Sequence, residues 1–170
     1  IKMKKLLAIA LFSVFVSCTP GMHPEYEQNT ETVKAFLKLQ GEETDVNAQM
    51  ALVHEELEWQ PAFHGAVPIG KEDFKAYLIS WQDVMEETVY TPRNYLPGVL
   101  ADTGLQDGSV RSYGKWTGVY SATGKKWELT AYHTWDFKDG KIIAGGDYFD
   151  AGGLIASLQV EEVTEEITEE

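Results

Sequence analysis

The sequence predicts an α+β fold, a curved antiparallel sheet with three helices packed on one face so that the two layers enclose a conical cavity. Three observations predict it. Apolar residues recur at helical spacing only in the first half of the domain. From about Val89 onward the period changes to two and holds to Asp150. Within that second half Asp139-Gly140, a strong hairpin signal, separates two alternating runs. Helices followed by strands bury a helical stripe against one sheet face, and a curved sheet wrapped that way leaves a cone-shaped interior.

The elements follow in order. Thr30 to Leu39 sets Val33, Phe36 and Leu37, with Gln40 just beyond, on one helical stripe. Thr44 to Val53 opens on Thr-Asp, residues suited to a helix start, and aligns Val46, Met50 and Val53. His54 to Trp59 reads as a short strand, followed by a loop with Pro61 and Pro68. Lys71 to Met85 is the clearest helix: Phe74, Tyr77, Leu78, Trp81 and Met85 follow an acidic first turn. Val89 to Leu100 is a strand broken by Pro92 and Pro97, hence bent or at an edge. Ser109 to Tyr120 alternates, Ala122-Thr123-Gly124 turns the chain, and Trp127 to Lys138 alternates again. Lys141 to Asp150 is the last strand, and the apolar segment Gly152 to Leu158 closes the domain.

Four regions are expected: an export signal over 1–17, a lipidated Cys18 with a flexible tether over 18–29, the domain over 30–158, and an acidic disordered tail over 159–170. After Met3, Lys4 and Lys5 precede an apolar run from Leu6 to Val16. At about 1.5 Å per residue a helix of that length falls well short of the roughly 30 Å hydrocarbon core, so the run suits a signal rather than a span. Phe15-Val16-Ser17-Cys18 resembles the lipobox of bacterial lipoproteins, with Phe15 where Leu is usual. Cys18 is the only cysteine, so no intramolecular disulfide forms, and thioether lipidation would consume a thiol that is out of place in an oxidising compartment. The plainer alternative is an exported chain with an incidental cysteine. Prolines, a glycine and polar residues fill the tether, and six of the ten residues from Glu161 to Glu170 are glutamates, too charged to pack.

About 130 residues remain for one domain with a real core. The formal net charge is −13; residues 1–17 carry three lysines and no acid, so the rest stands at −16. Such a surface repels phosphate backbones and anionic headgroups, which excludes nucleic acid as a partner and leaves the lipid at Cys18 to hold the membrane. Two chemistries are excluded by detail. Gly65-Ala-Val-Pro-Ile-Gly70-Lys71 imitates a phosphate-binding loop, but Glu72 stands where a hydroxyl must hold magnesium and Pro68 deletes a backbone donor. His54, His64 and His133 lack paired ligand spacing, so no metal is expected. No cofactor is expected either.

The stretch FKDGKIIAGGDYFDAGGLIASL, Phe137 to Leu158, resembles the closing hairpin of the nuclear transport factor 2-like superfamily, in its SnoaL-like branch. Trp59 two residues before Pro61, the GKEDF opening of the third helix and KWTG at Lys115 to Gly118 fit the same pattern. Gly145-Gly146 departs from it, since bulkier residues are often found there. The resemblance implies a cone-shaped α+β barrel, often dimeric through its sheet, in proteins that include isomerases, cyclases, dehydratases and non-catalytic binding domains.

Alternation places Leu129, Ala131, His133, Trp135 and Phe137 on the inner face of their strand. On the last strand Tyr148 and Asp150 share a face and Asp147 and Phe149 the other; a bulge at Gly145-Gly146 would exchange them. The resemblance to the cyclases and isomerases, through Tyr148-Phe149-Asp150, implies Asp150 as the cavity acid, with His133 as its polar partner. The alternatives are a helix cap for Asp150 and a hydrogen-bonded core residue for His133. Trp59, Phe63, Trp81, Trp116, Trp135 and Tyr148 are the rings expected around the pocket. Tyr113, Val119, Tyr132 and Thr134 are expected on the outer face, where they would support a homodimer. Two functions follow: a lipid-tethered domain that binds a small, mostly apolar ligand or serves as a module without turnover, and a cofactor-free lyase, isomerase or cyclase.

Overall fold

Nine elements follow one another in the computed structural model, which describes residues 21–159: α1 (Tyr26–Gly41), α2 (Val46–Ala51), β1 (Val53–Gln60), α3 (Lys71–Gln82), β2 (Met85–Val99), β3 (Gln106–Tyr120), β4 (Lys125–Lys138), β5 (Lys141–Tyr148) and α4 (Ala151–Gln159). The five strands form one sheet in the order β1-β5-β4-β3-β2. All neighbours are antiparallel except β1, which runs parallel to β5. Helices α1 and α3 pack on the sheet, α1 against β2 and β3 and α3 against β1, with α2 wedged between them. This is the expected α+β architecture. No helix among the described residues is long and apolar enough to cross a membrane.

The boundaries move for physical reasons. Helix α1 starts at Tyr26, inside the stretch expected to be tether. Tyr26 and Asn29 are buried, and Asn29 Nδ2 donates to the carbonyl of Gly108 on β3, so the start of the helix is docked on the sheet. Helix α2 is shorter than expected because Val53, fully buried, already belongs to β1; Asp45 caps its start by accepting from the Ala48 amide. Helix α3 stops at Gln82. Met85 stands four residues after Trp81 and so imitates another helical turn, yet it is the first residue of β2. The export signal, Cys18 and the acidic tail from residue 160 onward lie outside the described residues; Gln159, expected as the first tail residue, is the last of α4.

Strand β2 is an edge strand with three register shifts, two of them at Pro92 and Pro97, as a proline-broken strand requires. Asp139 and Gly140 both have positive φ, 52° and 73°, the conformation of a two-residue hairpin turn. The core between the helices and the sheet is packed with aromatic rings. Trp59 and Trp135, each 1 % exposed, lie 5.0 Å apart, Phe74 is 4.7 Å from Trp59, and Phe36 is 5.3 Å from Trp135.

Candidate functional site

His133 faces inward on β4, as alternation requires, and is almost fully buried. Its Cα partner on β5 is Asp147. Counting out from the Asp139-Gly140 turn, regular pairing would instead bring Gly146 opposite His133. The difference is a β-bulge: Phe137 pairs with Ile142 but Asp136 pairs with Ala144, leaving Ile143 as the extra residue. Beyond the bulge the parity of β5 reverses, and Asp147 shares a face with His133. The face exchange considered for Gly145-Gly146 therefore happens, but at Ile143.

Asp147 is the centre of a closed network. Its Oδ1 lies 2.7 Å from His133 Nδ1, while its Oδ2 accepts from Trp59 Nε1 at 3.1 Å and from the Tyr77 hydroxyl at 2.8 Å. Trp116 Nε1 donates to His133 Nε2 at 3.1 Å. An indole N–H is only a donor, so Nε2 accepts and the imidazole proton sits on Nδ1, where it donates to Asp147. Three donors from β1, α3 and β4 thus converge on one carboxylate of β5. Burial, together with the charge of Asp147 and the hydrogen bond to it, holds the Tyr77 hydroxyl far above the usual phenol range, so it remains a donor.

Above this network lies a cavity of about 80 Å³, lined by Trp59, Phe74, Tyr77, Trp81, Trp116, Trp127, Leu129, His133, Trp135, Asp147, Phe149 and Leu154 among others. At roughly 10–15 Å³ per water position, that is room for a handful of waters or one small ring. Among the described residues, Asp147 is the one acidic or basic side chain besides His133 that lines it.

Four of the six rings expected around the pocket, Trp59, Trp81, Trp116 and Trp135, line it. Phe63 does not line it: it is 40 % exposed and stacks on Trp81 at 6.2 Å, at a neighbouring pocket. Two further expectations are corrected. Tyr148 points away from the pocket, half-exposed and 5.4 Å from Tyr132 on the outer sheet face. Asp150 is exposed as well: its Oδ1 accepts from the Gly153 amide and caps α4. Both corrections follow from the bulge at Ile143. Tyr77 is the member of the network that the sequence reading did not single out for the site, and Asp147 entered that reading only as the residue a bulge would exchange for Asp150. Tyr77 was visible on the α3 stripe, where a site residue and a core residue look alike. Among the described residues no group of three His, Cys, Asp or Glu side chains stands close enough to hold a metal ion.

The SnoaL-like domain family matches residues 33–145, more than half of the chain. The chain belongs to that family. Solved relatives share its fold. A SnoaL-like protein of Jannaschia sp. CCS1 superposes with a TM-score of 0.67 at 15 % identity, covering 83 % of this chain and 98 % of that one. A nuclear transport factor 2-like protein of Burkholderia pseudomallei K96243 gives 0.63 at 16 % identity, over 78 % and 98 % of the two chains. An LEH-like epoxide hydrolase of M. tuberculosis gives 0.59 at 18 % identity, over 79 % and 92 %. At such identities the likeness is one of fold, and the site must speak for itself. No curated protein matches the chain.

Three phenols of the SnoaL-like domain, one of them in the network, are held above their ordinary pKa. Burial raises Tyr77, and it pushes Tyr90 and Tyr95 up to about 12 each. A phenol whose folded pKa exceeds its unfolded value contributes stability below about pH 10, lost as pH rises from there towards the folded value. Urea unfolding between about pH 9.5 and 11 is expected to show a steeper loss in the wild type than in Tyr77→Phe, which lacks one such phenol. Parallel slopes would show that Tyr77 ionises as freely in the folded state as in the unfolded one.

Proposed function

We propose that the SnoaL-like domain binds a small, mostly apolar molecule in the cavity above Asp147 and His133. The observation that carries this reading is the state of the polar groups there. Asp147 already accepts three hydrogen bonds, and Trp116 occupies the outward nitrogen of His133. The network as it stands shapes and orients the wall of an aromatic cavity, which suits holding a ligand. Binding of neutral ketones and hydrocarbons of about six to ten heavy atoms, read by tryptophan fluorescence, tests it. A Leu129→Trp variant that fills the cavity should abolish binding while remaining folded. Equal binding to the blocked variant, or none to the wild type, overturns the reading.

A second reading, cofactor-free isomerase, lyase or cyclase chemistry, is favoured by one contact: the 2.7 Å approach of Asp147 to His133 at the wall of an open cavity. Here Asp147 takes a proton from carbon next to a carbonyl and returns it elsewhere, while His133 and Tyr77 hold the carboxylate in place. Exchange of the α-protons of cyclohexanone in deuterium oxide, followed by NMR, separates the two. Turnover requires acceleration over buffer that Asp147→Asn abolishes; binding alone gives none.

We further propose that the domain is exported and held at a membrane through lipid on Cys18. Two acyl chains bury many methylenes at about 0.8 kcal/mol each, enough to anchor a small domain with an acidic surface. Cys18→Ser is expected to move the protein from the membrane to the soluble fraction, and an unchanged membrane-bound fraction would refute this.

A homodimer through the outer sheet face completes the proposal. Tyr113 and Tyr132 stack there at 4.6 Å and Tyr148 continues the row, an aromatic band in which Tyr113 and Tyr148 are exposed. Sedimentation at micromolar concentration should give a dimer that Tyr132→Glu dissociates. A monomeric wild type counts against it.

A further inference from the structure

The cavity holds two buried polar atoms that the Asp147 network does not use. Among the described residues, neither Trp127 Nε1 nor Thr88 Oγ1 has a hydrogen-bond partner in the protein, and both residues line the cavity. A buried N–H or hydroxyl left unpaired loses its hydration without recompense, so two of them in one wall require a reason.

The backbone around them is shaped to produce this arrangement. On β2, Glu86 pairs with Val119 and Val89 with Thr117, so Glu87 and Thr88 together oppose the single residue Gly118. Glu87 adopts φ 50° in this bulge, a left-handed conformation costly for a residue with a side chain. On the other side of Gly118, Trp127 is its Cα partner on β4. A Cβ on Gly118 would stand 2.8 Å from Trp127 Cζ2 and 3.0 Å from Cε2, the carbon that carries Nε1. The glycine thus lets the N–H edge of the indole lie over β3, between Trp127's own strand and Thr88. Trp127 is six residues from His133 along β4, roughly 20 Å of strand, so this is a different part of the wall from the Asp147 network.

We propose that Thr88 and Trp127 form a two-donor cradle for one oxygen acceptor of the cavity's ligand, and that the ligand is an uncharged carbonyl compound. This rests on the reading of the cavity as a ligand pocket. The indole N–H can only donate and the threonine hydroxyl is able to, so a single atom that satisfies both is an acceptor. Among the described residues no lysine or arginine lines the cavity, so an anionic acceptor such as a carboxylate or phosphate would be buried with no cation to pair it. A ketone, ester or lactone oxygen meets both conditions. Its hydrocarbon body would lie against Leu129 and Trp116.

The test compares cyclohexanone with methylcyclohexane, which has similar bulk and no acceptor, in NMR titrations of the protein. Cyclohexanone should shift the indole N–H resonance of Trp127 selectively, and methylcyclohexane should not. Trp127→Phe, which keeps a ring and removes the N–H, should weaken cyclohexanone about tenfold and leave methylcyclohexane unchanged. Thr88→Val, which keeps the shape and removes the hydroxyl, should act in the same direction, and it decides the matter with the wild-type N–H shift if Trp127→Phe does not fold. Binding of both compounds without an N–H shift or an effect of either variant overturns the cradle and leaves the pocket reading standing. Binding of neither compound removes the pocket reading itself.

Discussion

Asp147→Ala is expected to destabilise the domain by about 3–4 kcal/mol, among the largest losses any single side chain here would produce. The carboxylate terminates hydrogen bonds from Trp59, Tyr77 and His133, and these come from β1, α3 and β4. Alanine leaves three buried donors without an acceptor. Each costs on the order of 1–3 kcal/mol, and water entering the enlarged cavity recovers part of the total. Asp147→Asn is expected to cost less, about 1–2 kcal/mol, by a different route. Its carbonyl oxygen serves the side that receives both Trp59 and Tyr77. Its amide then faces His133, which must accept at Nδ1 and move its proton to Nε2. That proton meets the Trp116 N–H, and two donors oppose one another. Urea unfolding of the two variants measures the difference. A loss below about 1 kcal/mol for alanine would mean that the donors find other partners and that the network does not hold these four elements together.

The same residue marks where sequence reasoning ended. The inner face of β4 was legible because its alternation is unbroken: Ala131, His133 and Trp135 are all buried, as their spacing requires. Strand β5 was not. Ile142 and Asp147 are both buried although an odd number of positions separates them, which only an extra residue between them permits. Strict alternation buries Tyr148 in place of Asp147, and it carries the cavity acid forward to Asp150. A bulge is fixed by what the strand packs against, here the ring of Trp59 over Gly145, and that contact joins residues far apart in the chain. The parallel pairing of β1 with β5 was hidden for the same reason. Local patterns named both strands but not their adjacency. The cap role of Asp150 was open from the start, since an Asp before a short apolar helix is a good cap wherever its strand parity points.

Gly145→Ala tests that contact directly and is expected to cost about 3 kcal/mol or more, lowering the melting temperature by about 10 °C. A Cβ built on Gly145 stands 2.1 Å from the carbonyl oxygen of Thr134 and 2.6 Å from Trp59 Cζ3. The first neighbour is backbone of the adjacent strand, so no rotamer change relieves it, and β4 and β5 must separate. The second is the ring that donates to Asp147 at 3.1 Å, so a displaced Trp59 also weakens the network. This explains why a residue smaller than those often found at this point of the resembled hairpin is required here: the space a side chain would take is filled by an indole from β1. Gly146→Ala is the internal control. Its Cβ would meet Gln60 Cβ at 3.0 Å, the Gln60 carbonyl oxygen at 3.1 Å and Tyr148 at 3.3 Å, contacts that shifts of a few tenths of an ångström relieve, so about 1 kcal/mol is expected. The Trp59 indole N–H resonance should move in Gly145→Ala and hold its position in Gly146→Ala. Equal stability losses at the two glycines, with the Trp59 resonance unmoved in both, would show that Trp59 does not rest on Gly145 and that some other contact sets the bulge.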